Sequence, residues 1–87
     1  MPVIWGNVQA VTMGVGKSPR IVVTTTCAPG PQETIEAQVG RNTLITRGIH
    51  TVSVNAIKVG ELVELSYIKV GDRAEAYMVY LRAQECA

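Results

Sequence analysis

Lys17 follows Gly14-Val15-Gly16 and precedes Ser18, which is how a phosphate-binding loop ends. Such a loop needs another glycine five residues before Gly16, and it must open a helix. Val11 stands at that position, and Pro19-Arg20-Ile21-Val22-Val23 reads as strand. Residues 14–18 are therefore predicted to form a turn. Zinc takes three or four His, Cys or carboxylate ligands at short spacings. This chain offers His50, Cys27 and Cys86 with no CxxC or HxxxH pattern. Met13, Met78 and Cys27 are chemically suited to a soft metal such as Cu(I), but their spacing is non-specific and methionine more often fills core gaps. Nucleophilic catalysis needs a nucleophile, a base and an orienting group. With a single His and a single Asp, and with Glu61, Glu64 and Glu75 where solvated strand faces would put them, no such set is assembled. The expectation is a protein without enzymatic activity, metal or cofactor.

Binding chemistry is better represented. Single-stranded nucleic acid is held by aromatic platforms among basic groups. The aromatics are Trp5, Tyr67, Tyr77 and Tyr80, and the last two lie close to Arg82. The alternative is that these tyrosines finish a core with the hydroxyl at its edge. The net charge of +1 argues against a dedicated nucleic-acid binder, yet the charge is unevenly spread. Residues 1–60 carry five basic and two acidic side chains, or +3, whereas residues 61–87 carry three and five, or −2. No acid lies between Glu36 and Glu61. Either the two segments pair as strands and cancel, or the basic stretch rims an anionic ligand. Arg41, Arg47, His50, Lys58, Tyr77, Tyr80 and Arg82 are the candidate ligand or nucleic-acid surface on the second reading.

The elements that must position these residues follow from composition. Among 87 residues there are 13 Val, 7 Ile and 8 Thr against 4 Leu and no Phe. β-Branched side chains lose χ1 freedom in helices and suit pleated sheets, so a single all-β domain spanning residues 1–87 is predicted. Residues 3–13 read as a strand with Ile4, Gly6, Val8 and Ala10 on one face and Val3, Trp5 and Val11 on the other. Gly6 within it marks a bend or a close backbone approach. Further strands are expected at 20–26, at 33–39 with Ile35, Ala37 and Val39 inward, and briefly at 43–46. Ser53 is placed to cap one helical turn near 53–57, which Gly60 ends. Glu61 to Lys69 is a strand with Val63, Leu65 and Tyr67 inward, which leaves Leu62 and Ile68 to form an outer apolar patch. Gly71-Asp72 then turns the chain into Arg73–Arg82, where a bulge between Ala76 and Val79 would bring Ala76, Val79 and Leu81 all inward. Ile57-Lys58-Val59-Gly60-Glu61 recurs as Ile68-Lys69-Val70-Gly71-Asp72, which is read as two similar glycine turns before two strands.

Five to six short antiparallel strands closing into a small barrel would hide the edges of so Val- and Ile-rich a sheet. The order of signals, namely Gly6-Asn7-Val8-Gln9-Ala10-Val11, the strand 21–26, Thr43-Leu44-Ile45, Ile57-Lys58-Val59-Gly60-Glu61-Leu62-Val63-Glu64-Leu65 and Ala76-Tyr77-Met78-Val79, is similar to a family of small bacterial OB-like β-barrel domains of unknown function, often found in exported proteins. The resemblance implies an OB-like barrel acting as a non-enzymatic accessory or ligand-binding module of an exported or envelope-associated protein, with a periplasmic or extracellular location. It brings no catalytic residues with it. A cytoplasmic location is the alternative, because no export signal opens the chain. An OB-like single-stranded nucleic-acid binder and an oligomerising structural module are the rival functions, so the partner is left open between another protein, a second copy and, less favoured, nucleic acid. No apolar run reaches the ~20 residues that span a bilayer. Cys27 and Cys86 permit a disulfide, which would contribute roughly 4 kcal/mol in the chain-entropy model, or two free thiols.

Overall fold

Most of the described stretches rich in Val, Ile and Thr are extended. The computed structural model describes residues 2–13, 18–25 and 32–82, with the main chain alone at 82. The strands are β1 (Val3–Thr12), β2 (Arg20–Thr25), β3 (Thr34–Gln38), β4 (Leu44–Arg47), β5 (His50–Thr51), β6 (Leu62–Val70) and β7 (Arg73–Arg82), and a 3-10 turn occupies Val54–Ala56. The all-β barrel with one short helical turn is borne out. Ser53 holds the N-cap position of that turn but makes no side-chain cap bond. Three residues of 3-10 helix leave few orphan amides to cap. The two-residue β5 was not foreseen.

Five strands close the barrel in the ring order β1-β2-β3-β7-β6. The expected all-antiparallel pairing is corrected here. β3 and β4 both run parallel to β7, while the other pairs are antiparallel. The reason is one of parity, since strand direction cannot alternate all the way round a ring of five. One edge of β7 is paired with β6 along the whole strand, from Arg73 to Arg82. Its other edge is shared, Ala74 and Glu75 pairing with β3 and Met78 to Leu81 with β4. The gap between them falls at Ala76, whose carbonyl oxygen accepts a 2.6 Å hydrogen bond from the Thr43 hydroxyl. The same hydroxyl accepts the Gly40 N–H at 3.0 Å. Thr43 thus joins the break between β3 and β4 to the spine of the barrel.

The core is built from inward rows, of which Ile4, Leu65, Val79 and Ile45 are one continuous example across β1, β6, β7 and β4. Two bulges set which residues enter it. On β7, Ser66 faces Met78 while Tyr67 faces Ala76, so Tyr77 is the extra residue. Ala76, Val79 and Leu81 are all buried in consequence, as the spacing required. On β1, Val8 faces Val23 and Ala10 faces Val22, leaving Gln9 as the extra residue. This second bulge corrects the expected face of Val11, which packs against the core together with Ile4 and Val8. Gly6 lies at the crossing where β1 pairs with both β2 and β6, opposite Thr25 and Val63. A Cβ there would run into the Thr24 carbonyl and stand 2.8 Å from the Thr25 Cα, which is the close approach expected of this glycine. Both hairpin turns, Gly48-Ile49 and Gly71-Asp72, have positive φ at the glycine and at neither second residue. That is the mark of the II′ form, which calls for glycine first. The internal echo proves to be this kind of likeness, for Gly60 and Gly71 both take positive φ just before β6 and β7.

Candidate functional site

Antiparallel and parallel registers together place two rows of side chains on the outer face of β1, β6, β7 and β4. One row runs Val3, Ser66, Met78, Leu44. Its neighbour runs Trp5, Glu64, Tyr80, Thr46 and continues to Thr51 on β5. Both lie opposite the buried row Ile4, Leu65, Val79, Ile45, because successive residues of a strand point to opposite faces. Trp5 is 47% exposed and Tyr77, the bulge residue beside Met78, is 54% exposed. Val3 and Leu44 are also exposed, while Met78, Tyr80 and Glu64 are half-buried. Glu64 is the one charged side chain in the two rows. Its carboxylate has no ion-pair or hydrogen-bond partner among the described residues.

The residues singled out from sequence divide between this face and its margin. Tyr77 and Tyr80 are on it. Arg41 lies in the turn joining β3 to β4, and Arg47 and His50 face each other at the tip of the β4–β5 hairpin. Lys58 lies in the turn leading to β6. Arg82 stands opposite Leu62 in main-chain register. Arg47 is committed to structure: its guanidinium meets the Glu61 carboxylate at 2.9 Å and donates to the Ala56 carbonyl at 3.0 Å. The second Glu61 oxygen accepts the Lys58 N–H at 3.1 Å. Among the described ion pairs this one joins the basic half of the chain to the acidic half. The other two, Arg20–Glu36 and Arg73–Glu75, stay within one half. Cys27 and Cys86 and the turn 14–17 lie outside the described residues.

The outer apolar patch expected from Leu62 and Ile68 has a different make-up. Leu62 is 8% exposed, because it sits mid-sheet between Asn7 of β1 and the neighbouring β7 strand. Ile68 is 44% exposed, because β6 runs on past the start of β1 and has a neighbour on one side only. The patch is instead made by Val3, Trp5, Leu44, Met78 and the two tyrosines. Sequence reasoning did not join Trp5 to Glu64 and Tyr80, which are distant in sequence and meet only through register. A second feature also went unforeseen. An open cleft of about 630 Å³ lies between β2–β3 and the β6–β7 hairpin, lined by Arg20, Glu36, Gln38, Lys69, Asp72 and Arg73 among others.

The chain matches no family model, no curated protein and no solved structure. Among the described residues no cluster of His, Cys, Asp and Glu suits a metal ion, and no helix is long and apolar enough to cross a membrane.

Proposed function

We propose that this barrel is a non-catalytic binding module and that it engages its partner through the outer face of β1, β6, β7 and β4. The observation that carries the reading is the run of exposed or half-buried Val3, Trp5, Leu44, Tyr77, Met78 and Tyr80 on one face. With strands ~4.8 Å apart and same-face rows ~6.8 Å apart, four strands and two side-chain rows cover roughly 260 Å². That is near the lower end of the largest apolar patches of monomeric proteins, about 300–600 Å². It is about a third of the ~800 Å² per partner that a standard protein–protein interface buries. The size favours a peptide or a small protruding element over a permanent homodimer. The resemblance to small OB-like domains of exported bacterial proteins agrees with an accessory module in an envelope setting.

Sedimentation at high micromolar concentration tests the choice. A monomer is expected. A dimer that Trp5→Ser and Leu44→Ser abolish would replace the reading with self-association. A photo-crosslinking residue at position 77 is expected to capture a partner in producing cells, and the same residue at Gln38 is not. Equal capture at both positions would remove the face from consideration.

Nucleic-acid binding has one observation in its favour, the cleft beside β2 and β3, which is where OB barrels take oligonucleotides. Its lining has no aromatic platform, and Arg20 faces Glu36 at 3.3 Å while Arg73 faces Glu75 at 3.2 Å. Retention of single-stranded DNA at low salt that falls steeply as salt rises would establish this second reading. No retention is expected.

A further inference from the structure

Only alternate residues of β3 bond to β2. The Thr25 N–H donates to the Glu33 carbonyl at 2.8 Å, and the Val39 N–H to the Pro19 carbonyl at 2.8 Å. Between them the register is unbroken, from Thr24–Thr34 to Arg20–Gln38. Neighbouring residues of a strand turn their main-chain groups to opposite sides. Ile35 and Ala37 therefore bond β2, while Thr34, Glu36 and Gln38 turn the other way, towards β7. There the ladder is short, pairing Ala37 with Ala74 and Gln38 with Glu75. The slanted bonds of a parallel ladder run from Ala74 to the residues on either side of Ala37, which engages the Glu36 carbonyl and the Gln38 N–H. The Glu36 N–H and both main-chain groups of Thr34 are left over, with no partner among the described residues.

These three groups open into the cleft of about 630 Å³ between β3 and the β6–β7 hairpin. Thr34, Ile35 and Glu36 all line it, with Gly71, Asp72 and Arg73 opposite. Successive side chains point to opposite faces of a sheet, so the space follows the edge of β3 rather than either face. A strand residue fills roughly 160 Å³, from ~3.3 Å of rise, ~4.8 Å between strands and ~10 Å between sheets. The cleft thus takes about four.

We infer that this cleft receives a short extended segment of a partner polypeptide, which adds a strand to the edge of β3. It is a second site, apart from the aromatic face. The lining charges favour main chain over a polyanion: Arg20 and Arg73 are paired with Glu36 and Glu75, and Lys69 is balanced by Asp72. Ile35 packs against the core yet is only half-buried, so an apolar side chain of the segment completes its row. A strand within a second barrel carries a neighbour on its far edge, and the β6–β7 hairpin occupies that place. The segment lies along Thr34 and Glu36; Gln38, paired with Glu75 at the closed end of the cleft, stays out of its reach.

Hydrogen exchange of single amides, followed by NMR, tests both the edge and its occupant. In the free protein the Thr34 and Glu36 amides should exchange far faster than those of Ile35 and Ala37. The probe is the blocked tetrapeptide Thr-Val-Thr-Val. At ten times its Kd it should slow Thr34 and Glu36 about tenfold, and the same peptide N-methylated at every residue should not. Glu36→Pro removes one leftover donor without touching the bonds to β2, as proline does at sheet edges. It should keep a cooperative melt and bind the peptide roughly 2–10-fold more weakly; if it does not fold, the methylated peptide still decides. Equal slowing by both peptides, or slowing by neither, would overturn the inference. Exchange of Thr34 as slow as that of Ile35 in the free protein would overturn it too, since the edge would then be taken. Slowing that rises with protein concentration alone would give the place to a second copy, and slowing by a single-stranded oligonucleotide but not the peptide would give it to nucleic acid.

Discussion

Replacing Gly6 by alanine tests the close packing at the crossing of β1 over β2 and β6. The added methyl would press on the Thr24 carbonyl group and lie 2.8 Å from the Thr25 Cα. These are main-chain atoms, so no side chain can rotate away to make room. Ordinary carbon–carbon contact is about 3.5–4.0 Å, so β2 must retreat by roughly 1 Å. A ladder bond stretched by that much from its usual ~2.9 Å is lost. Two lost bonds cost about 1–3 kcal/mol net, and strain in a filled core adds about 1–3 kcal/mol. Against this, alanine in a strand gains about 0.5–1 kcal/mol over glycine. The balance is a destabilisation of about 1–5 kcal/mol, centred near 3 kcal/mol. For a domain of this size, whose total stability is on the order of 4–13 kcal/mol, that lowers Tm by roughly 10–25 °C. Thermal and urea unfolding followed by Trp5 emission and by circular dichroism would measure it. Gly40→Ala is the control, since nothing lies within 4 Å of its Cβ position, and it should shift stability by less than about 0.5 kcal/mol. If Gly6→Ala unfolds with the wild type, the close approach at this crossing is wrong.

Thr43→Val keeps the shape but removes the hydroxyl that serves Ala76 and Gly40, and should cost about 1–3 kcal/mol in urea titration; Thr43→Ser should recover most of it. Deleting Tyr77 takes out the extra residue of the β7 bulge and leaves Ala76, Met78, Val79, Tyr80 and Leu81 in strict alternation with Ala76, Val79 and Leu81 still inward, so the deletion protein should keep a cooperative melt by circular dichroism, whereas deleting Tyr80, which turns Leu81 outward, should abolish one. Breaking the Arg47–Glu61 pair by Arg47→Ala should cost about 1 kcal/mol, because the guanidinium is partly exposed, and the loss should shrink as salt is raised.

Much of the fold was legible because local signals were strong. Val63, Leu65 and Tyr67 alternate cleanly, and the mismatch among Ala76, Val79 and Leu81 announced a bulge, since three apolar side chains on one strand had to reach one core. Gln9 gave no such warning, because Ala10 and Val11 are both apolar and either could have faced inward. The parallel contact of β3 with β7 has no local signature, although a five-stranded ring required one somewhere. The site was least legible. Tyr80 was noticed for its ring and Glu64 set aside as a solvated acid, and only the register of β6 on β7, shifted by the bulge, sets them side by side. Arg47 was read as ligand-facing because no acid lies near it in sequence; Glu61 reaches it across the turn that ends the basic stretch.

The sharing of β7 between three strands has a consequence for how the chain is born. Ala37 and Ala74 pair across 37 residues of chain. At ~5–20 residues per second, β3 leaves the ribosome about 2–7 s before its partner is made. During that interval β3 and β4 offer bare edges that no earlier strand can cover. Every signal needed to shape β1, β2 and β3 is already translated, yet the ring cannot shut. The free edges of β1 and β3 therefore stay open from their emergence until β6 and β7 are complete, and they close together.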